Sequence, residues 1–254
     1  MNWKVMLFLL FLALSCKPGI YLQKNQVKLA KPMLSADEIF FEDYTQIYAS
    51  QTEADAHIEF SVNGEDKIKN ENPIKVLESS LVEAQALGGG FMASVINQIQ
   101  VWKLPKNEII SIRSDRVLDD KYGVQGLDIL IDRKKGTKDF NNGWLGYLGD
   151  TVEFDLEFDI IEIDHILIST LRNHNAWIFS PTSINVFKNG KVISSLQMDD
   201  AKKSAKENMY YRLDISDIEA REVTIQMIAP KSIPEGHPGA GEKPWLFIDE
   251  ILVY

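Results

Sequence analysis

Cysteine is almost missing from this chain: Cys16 is the only one in 254 residues. A lone cysteine cannot close an internal disulfide, so no cross-linked framework is available to the fold. Histidine is nearly as scarce. His57, His165, His174 and His237 stand far apart, and none falls in the His-x-x-x-His spacing that turns two imidazoles toward one metal. Positive charge is in deficit, with 27 Lys and Arg against 37 Asp and Glu and a net charge of −10. Phosphate backbones demand a basic face, so nucleic acid is not an expected partner. The sequence contains no G-x-S-x-G, P-loop or dinucleotide fingerprint, and Ser180 and Ser183 stand in no nucleophile motif. Too little remains to assemble an active site, and no enzyme is expected. Helical periodicity is lacking as well, apart from the first residues.

Those first residues form a unit of their own. Lys4 precedes the apolar run Val5 to Leu14, and Ser15 and Cys16 follow. This is the layout of a secretory signal peptide, too short to cross a bilayer as a helix. LALSCK (Leu12 to Lys17) resembles the lipobox of bacterial lipoproteins, in which the cysteine becomes the acylated first residue of the mature chain. The preferred Leu three residues before the cysteine is Ala13 here, with leucines on either side. The resemblance implies a signal peptide over 1–15, a lipid on Cys16 and a polar tether over 16–31. It also implies an exported protein held at a bacterial membrane, the outer membrane or cell surface being the expected place. Acyl chains supply about 0.8 kcal/mol of membrane affinity per buried methylene. The alternative is an ordinary secreted protein with an incidental cysteine.

From residue 32 onward, runs of apolar and polar residues alternate and are separated by Gly, Asn, Asp and Pro, which is the pattern of an all-β protein. The first block, 32–104, holds Ala56 to Val62, the Asn63-Gly64 turn signal, Ser80 to Ala86, the Gly88-Gly89-Gly90 turn and Met92 to Trp102. Its size predicts a small immunoglobulin- or fibronectin-like sandwich. IEFSVNGEDK (Ile58 to Lys67) and LVEAQALGGGFMAS (Leu81 to Ser94) resemble two turns of the small β domain that follows the catalytic barrel in bacterial chitobiases and β-hexosaminidases. Ser61 and Asn63 stand where that family has Thr and Asp. The family module is a spacer with no catalytic residues.

Residues 105–120 read as a charged linker with one short strand possible at Ile109 to Ile112, and 121–254 as a second domain. Its expected strands are Leu127 to Ile131, Val152 to Phe158, Glu162 to Leu171, Ser183 to Lys188, Lys191 to Leu196, Tyr210 to Ile215, Glu222 to Ile228 and Leu246 to Tyr254. Asn189-Gly190 is a type I′ hairpin signature. If all these strands are antiparallel neighbours, the long connections 132–150, 172–182, 197–209 and 229–245 gather at one end. Loops so gathered on a rigid sandwich are where binding sites are carried. They contain Trp144, Trp177 and Trp245, the run Arg172-Asn173-His174-Asn175, and His237. Aromatic rings stack on the C–H faces of sugars while amide and guanidinium groups bond the hydroxyls. Trp144, Arg172, Asn175, Trp177, His237 and Trp245 are therefore the candidate ligand residues. In the last strand, Asp249 and Glu250 interrupt an apolar run; strict alternation sends them to opposite faces.

DRKKGTKDFNNGW (Asp132 to Trp144), NAWIFSP (Asn175 to Pro181) and HPGAGEKPWLFIDEI (His237 to Ile251) recur in that order in another setting, preceded by a lead-in similar to KYGVQG (Lys121 to Gly126). The second block resembles the C-terminal galactose-binding-like domain of β-hexosaminidases of the Bacteroidetes type of glycoside hydrolase family 20, within the discoidin, or factor 5/8 type C, superfamily. The resemblance implies a discoidin-like jelly-roll β-sandwich that binds carbohydrate, and no residues remain for a catalytic barrel. It also implies a structural Ca2+ between Asp132 and Glu250, since calcium takes six to eight oxygens. Arg133, Lys134, Lys135 and Lys138 in the same loop offer a protein cation in its place. The function expected is a non-catalytic, lipid-anchored envelope protein that binds a glycan or glycoconjugate. The alternative is a structural or protein-interaction lipoprotein that grips another envelope protein.

Overall fold

Period-two alternation builds nearly every element, and among the described residues no α-helix forms. The computed structural model describes residues 27–69, 71–137, 139–149, 151–159, 162–198 and 207–254. Cys16, the leader before it, most of the tether and Lys138 lie outside the described residues. In chain order the strands are β1 (Met33–Ala36), β2 (Phe40–Phe41), β3 (Thr45–Ser50), β4 (Ala56–Val62), β5 (Ile68–Lys69), β6 (Ile74–Val76), β7 (Ser80–Gly88), β8 (Asn97–Lys103) and β9 (Ile109–Arg113). They continue as β10 (Leu145–Leu148), β11 (Thr151–Phe158), β12 (Glu162–Arg172), β13 (Ser183–Lys188), β14 (Lys191–Gln197), β15 (Glu207–Glu219), β16 (Glu222–Ile228) and β17 (Trp245–Val253). The chain divides into two compact units. The first takes 27–36, Gln46–Lys75 and Ser80–Gln100, and the second Asp37–Thr45, Val76–Ser79 and Val101–Tyr254.

The first unit is a small sandwich. One sheet has the order β1-β3-β6, and the other sets β8, β7, β4 and β5 side by side. Ile47 and Ala49 of β3, Ile74 of β6, Phe60 of β4, and Val82, Ala84 and Ala86 of β7 are buried. Every second residue of β3 and β7 turns inward, as strands wet on one face require. Asn63 and Gly64 both take positive φ, 52° and 77°, which is why this Asn-Gly pair can turn the chain after β4. The two sheets have three and five strands, β2 completing the second beyond β8.

The second unit has sheets of order β10-β17-β12-β15 and β14-β13-β16-β11-β9. From β10 onward the chain changes sheet at each step, except at the β13–β14 hairpin, and its closing strand β17 is central. This strand order is a double-sheet jelly roll. Both sheets feed one core, with Phe154, Leu156, Val186 and Ile225 from one side and Ile166, Ile168, Leu213 and Ile248 from the other. The fold class is therefore all-β, a small sandwich followed by a jelly roll.

Two local expectations differ, and a third, the short strand at Ile109 to Ile112, is met. Leu127–Ile131, read as a strand, is a 3-10 turn with Leu130 buried; Leu127 and Leu130 sit three apart, the repeat of that helix. Leu145–Leu148, read as loop, is β10 and pairs with β17. Gly146 made it look like a loop, but the glycine is needed because a Cβ there would lie 2.8 Å from the Phe247 ring. Within the stretch read as a linker, β9 pairs antiparallel with β11 and forms the edge of a sheet.

Register fixes the ends. Leu148 pairs with Trp245, Leu171 with Phe247, and Arg172 with Glu207. The connections 173–182 and 229–244 accordingly share one end of the jelly roll, as the strand directions predict. The segment after Asp132 behaves differently: it reaches β17 itself, where the Gly136 N–H donates to Asp249 at 2.7 Å.

Candidate functional site

The chain leaves β12 at Arg172 and folds back at once. Asn173 and Ile178 exchange backbone hydrogen bonds of 2.9 and 3.0 Å around a 3-10 turn, His174–Ala176. That tight return drives Trp177 to φ 63°, a left-handed conformation that costs a bulky residue about 1–3 kcal/mol. Three contacts hold it there. Its N–H donates to His174 O at 3.0 Å, its carbonyl accepts from Trp245 N–H at 2.8 Å, and its ring packs so close to Gly239 that a Cβ there would lie 2.8 Å away. Even so, Trp177 is 39% exposed, a large aromatic side chain pinned at the surface.

His237 connects the two loops. Its Nε2–H donates to His174 O at 2.8 Å and its Nδ1 accepts from Gly239 N–H at 3.0 Å, which fixes the tautomer. His174 stacks on Phe179 with centroids 4.3 Å apart, and Phe179 meets His237 edge-on at 5.7 Å. His237 is thus a latch with both nitrogens occupied. Arg172 is largely covered and pairs with Glu207 of β15. Trp245 is half-buried, and its ring meets Tyr122 at 5.0 Å and Phe247 at 6.1 Å.

Trp144 is buried beneath this surface. It packs with Leu171, Ile178 and Phe247, its indole N–H donates to Thr137 O at 2.9 Å, and the Lys135 ammonium lies 4.1 Å from its ring centroid. Gly136 makes room for it, since a Cβ there would stand 2.4 Å from the indole. Of the six candidate ligand residues, Asn175 and Trp177 face solvent and Trp245 does so in part. Arg172 and His237 hold the loops, and Trp144 fills the space beneath them. Sequence reasoning passed over Tyr122 and Phe140, which complete the aromatic cluster around Trp245 and Phe247. It also passed over a concavity of about 310 Å3 on the β10 edge, lined by Arg116, Asp119, Asp120 and Leu148 among others. The Tyr122 signal was available in the KYGVQG lead-in.

The two acids of β17 obey a rule that alternation misses. Between Ser169 and Thr170 of β12 the partner on β17 jumps from Glu250 to Ile248, a β-bulge. Ile248 and Ile251, three apart, both enter the core, and Asp249 and Glu250 occupy the irregularity between them with no exposed surface at all. The expectation of opposite faces is corrected: the extra residue resets the parity. Asp249 is answered by the protein, since its Oδ2 accepts from the Lys135 ammonium and from Gly136 N–H. Glu250 is not. Its Oε1 accepts from Ile251 N–H at 3.2 Å, and its Oε2 has no hydrogen-bond partner. Burial, then the charges of Asp132 and Asp249, push its carboxyl up to about 10, against a smaller opposing pull from the Ile251 and Lys134 N–H groups.

For a structural Ca2+ this arrangement offers a buried carboxylate with an orphaned oxygen and a second carboxylate, Asp132, close enough to repel it. A divalent cation would relieve both conditions. Among the described residues no cluster of three or more His, Cys, Asp or Glu forms, so loop carbonyls would have to complete the shell.

Comparisons with known proteins give a partial setting. No family model matches the chain, and no curated protein does. Among solved structures, a pectin-binding carbohydrate-binding module is 16% identical over 58% of this chain and 91% of its own, with a TM-score of 0.34. A module of carbohydrate-binding family 32 solved with GalNAc is 16% identical over 59% of this chain and 99% of its own, TM-score 0.38. The C-terminal domain of a Bacteroides fragilis chitobiase is 16% identical over 58% and 92%, TM-score 0.32. The jelly-roll assignment rests on strand order, not on these likenesses.

Proposed function

We propose that the protein is a non-catalytic envelope lipoprotein, acylated on Cys16, whose second sandwich binds carbohydrate at the end bearing Trp177. The observation that carries this reading is Trp177 itself. A bulky ring is held at positive φ, braced by Gly239 and the His237 latch, and left exposed. Backbone strain retained at a surface aromatic points to a purpose beyond packing. The exposed amide of Asn175 and the half-buried Trp245 ring adjoin it, an arrangement suited to the C–H face and hydroxyls of a sugar. The resemblance of the ordered motifs to those of family 20 β-hexosaminidases supports this reading, as does the scarcity of catalytic groups in the sequence.

A glycan array followed by calorimetric titration tests it. Trp177→Ala should weaken binding about tenfold or more, equivalent to about 1.4 kcal/mol, with the melting temperature nearly unchanged. Binding that survives Trp177→Ala together with Trp245→Ala would remove the site, and hydrolysis of a hexosaminide by the purified chain would overturn the non-enzyme reading. Asp132 and Glu250 would hold a structural Ca2+, which when bound supplies the positive charge that Glu250 lacks. Identical melting curves in calcium and in chelator would remove the metal from the account.

A further inference from the structure

The first 36 residues carry a charge pattern opposite to that of the whole chain. Lys4, Lys17, Lys24, Lys28 and Lys31 are their only charged residues, in a protein of net charge −10. The described part of this segment, from Val27, runs beside the loop between β7 and β8. Leu29 N–H donates to Met92 O at 2.9 Å, Met92 N–H donates to Val27 O at 2.9 Å, and the Asn97 amide donates to Pro32 O at 2.9 Å. Residues 27–32 and 92–97 are thereby tied together at both ends.

Their outward side chains are unusual. Met33, Met92, Val95 and Ile96 are between 48% and 72% exposed. Lys28 and Lys31 stand exposed in the same strip. Flexible, apolar methionines beside β-branched residues and lysine stems suit the boundary between lipid headgroups and acyl chains, where lysine keeps its ammonium in the wet layer. The triple glycine Gly88-Gly89-Gly90, all at positive φ, turns the chain into this loop. Acidic side chains are close by on the same unit, at Glu53 and Asp55, the latter against Gly89. They leave the strip itself free of negative charge.

We propose that this strip is a membrane-contact face that rests on an anionic lipid surface. Lipid is favoured over a protein partner by the place where the chain from Cys16 enters the unit. Ten residues lie between Cys16 and Val27, eleven steps of chain that reach at most about 40 Å when fully extended, and Val27 enters the unit at the strip. A lipid on Cys16 keeps the strip within that reach of the bilayer, where lysines are attracted to an anionic surface. The inference rests on the lipoprotein reading for this tethering. The apolar side chains and lysines are independent of it.

The test uses the full chain, expressed in a bacterial host and reconstituted in vesicles of equal parts phosphatidylethanolamine and phosphatidylglycerol. Mass spectrometry of the N-terminal peptide reports acylation of Cys16 separately. Variants Met92→Cys and Ile96→Cys carry a fluorescent probe on the added thiol, and Glu65→Cys, beyond the turn at the other end of β4, is the control; Cys16 is blocked by its lipid, and in the lipid-free arm it is replaced by Cys16→Ser. With nitroxide-labelled lipids present, the probes at 92 and 96 should be quenched several-fold more than the probe at 65. Raised salt should reduce the difference, and Lys28→Gln with Lys31→Gln should reduce it further. Equal quenching at all three positions would overturn the proposal, whether or not Cys16 is acylated. So would shielding of the probes at 92 and 96 from aqueous iodide only when other envelope proteins are added. Preferential quenching at 92 and 96 in a chain lacking the lipid would sustain the contact face and refute only the acylation.

Discussion

Glu59 of the first sandwich and Glu250 of the second are both buried glutamates in the middle of a strand, yet their carboxyls move in opposite directions. Glu59 sits on β4, and the ammonium groups of Lys69 and Lys67 close over it at 2.9 and 3.0 Å. Their hydrogen bonds, Lys69 first, hold its carboxyl down at about 2. Both lysines are half-exposed and lay their stems across the sheet while their charged ends bend back to the acid. Glu250 has no such neighbour and is pushed up to about 10. Lys135 of the neighbouring loop is committed to Asp249. Burial therefore does not decide the state of an acid by itself; the reach of a cation does.

The largest effect that would break this contrast lies at Lys135. Lys135→Met should destabilise the second unit by about 3–5 kcal/mol, because it strands Asp249 as a lone buried charge. Chemical denaturation measures this, and adding Asp249→Leu should recover most of the loss. If the single variant is as stable as the parent, Asp249 has another counter-charge. Next in size is the metal response. Calcium at a hundredfold excess over its dissociation constant should stabilise the parent by about 2.7 kcal/mol, and Glu250→Gln should abolish that gain while changing calcium-free stability little. The smallest effect belongs to Glu59, where the sign follows from a lowered carboxyl. Its contribution is fully present above the ordinary value of 4.5 and disappears as pH falls toward about 2. Glu59→Gln should flatten the acid side of the stability curve over that window without altering its alkaline side, as read by melting temperature against pH.

The sequence makes the strands legible because alternation and Asn-Gly turns are local signals. Val152, Phe154, Leu156 and Phe158 announced β11, and Asn189-Gly190 announced the β13–β14 hairpin. The common end of 173–182 and 229–244 was legible too, since it follows from counting reversals, whereas the count did not foresee the segment after Asp132 reaching β17. What was hidden depends on neighbours distant in the chain. The bulge at Asp249-Glu250 exists only against β12, and β10 exists only because Gly146 lets Phe247 and Tyr122 close over it. The roles of the site residues were blurred for the same reason. Trp144 and Trp177 look alike in sequence, but one is enclosed by Gly136, Thr137 and Lys135, and the other is lifted to the surface by a left-handed turn. His237 read as a ligand donor, and its two hydrogen bonds to the backbone give it a holding role.

β17 follows every other strand of its sheet in the sequence and yet lies between β10 and β12. Those two strands meet only through it, in the register that seats Asp249 on Lys135. A chain cut short before Trp245 would lack a central strand, so its sheet would split in two instead of losing an edge. The sheet is therefore closed from its middle, by the same strand whose Trp245 N–H braces Trp177.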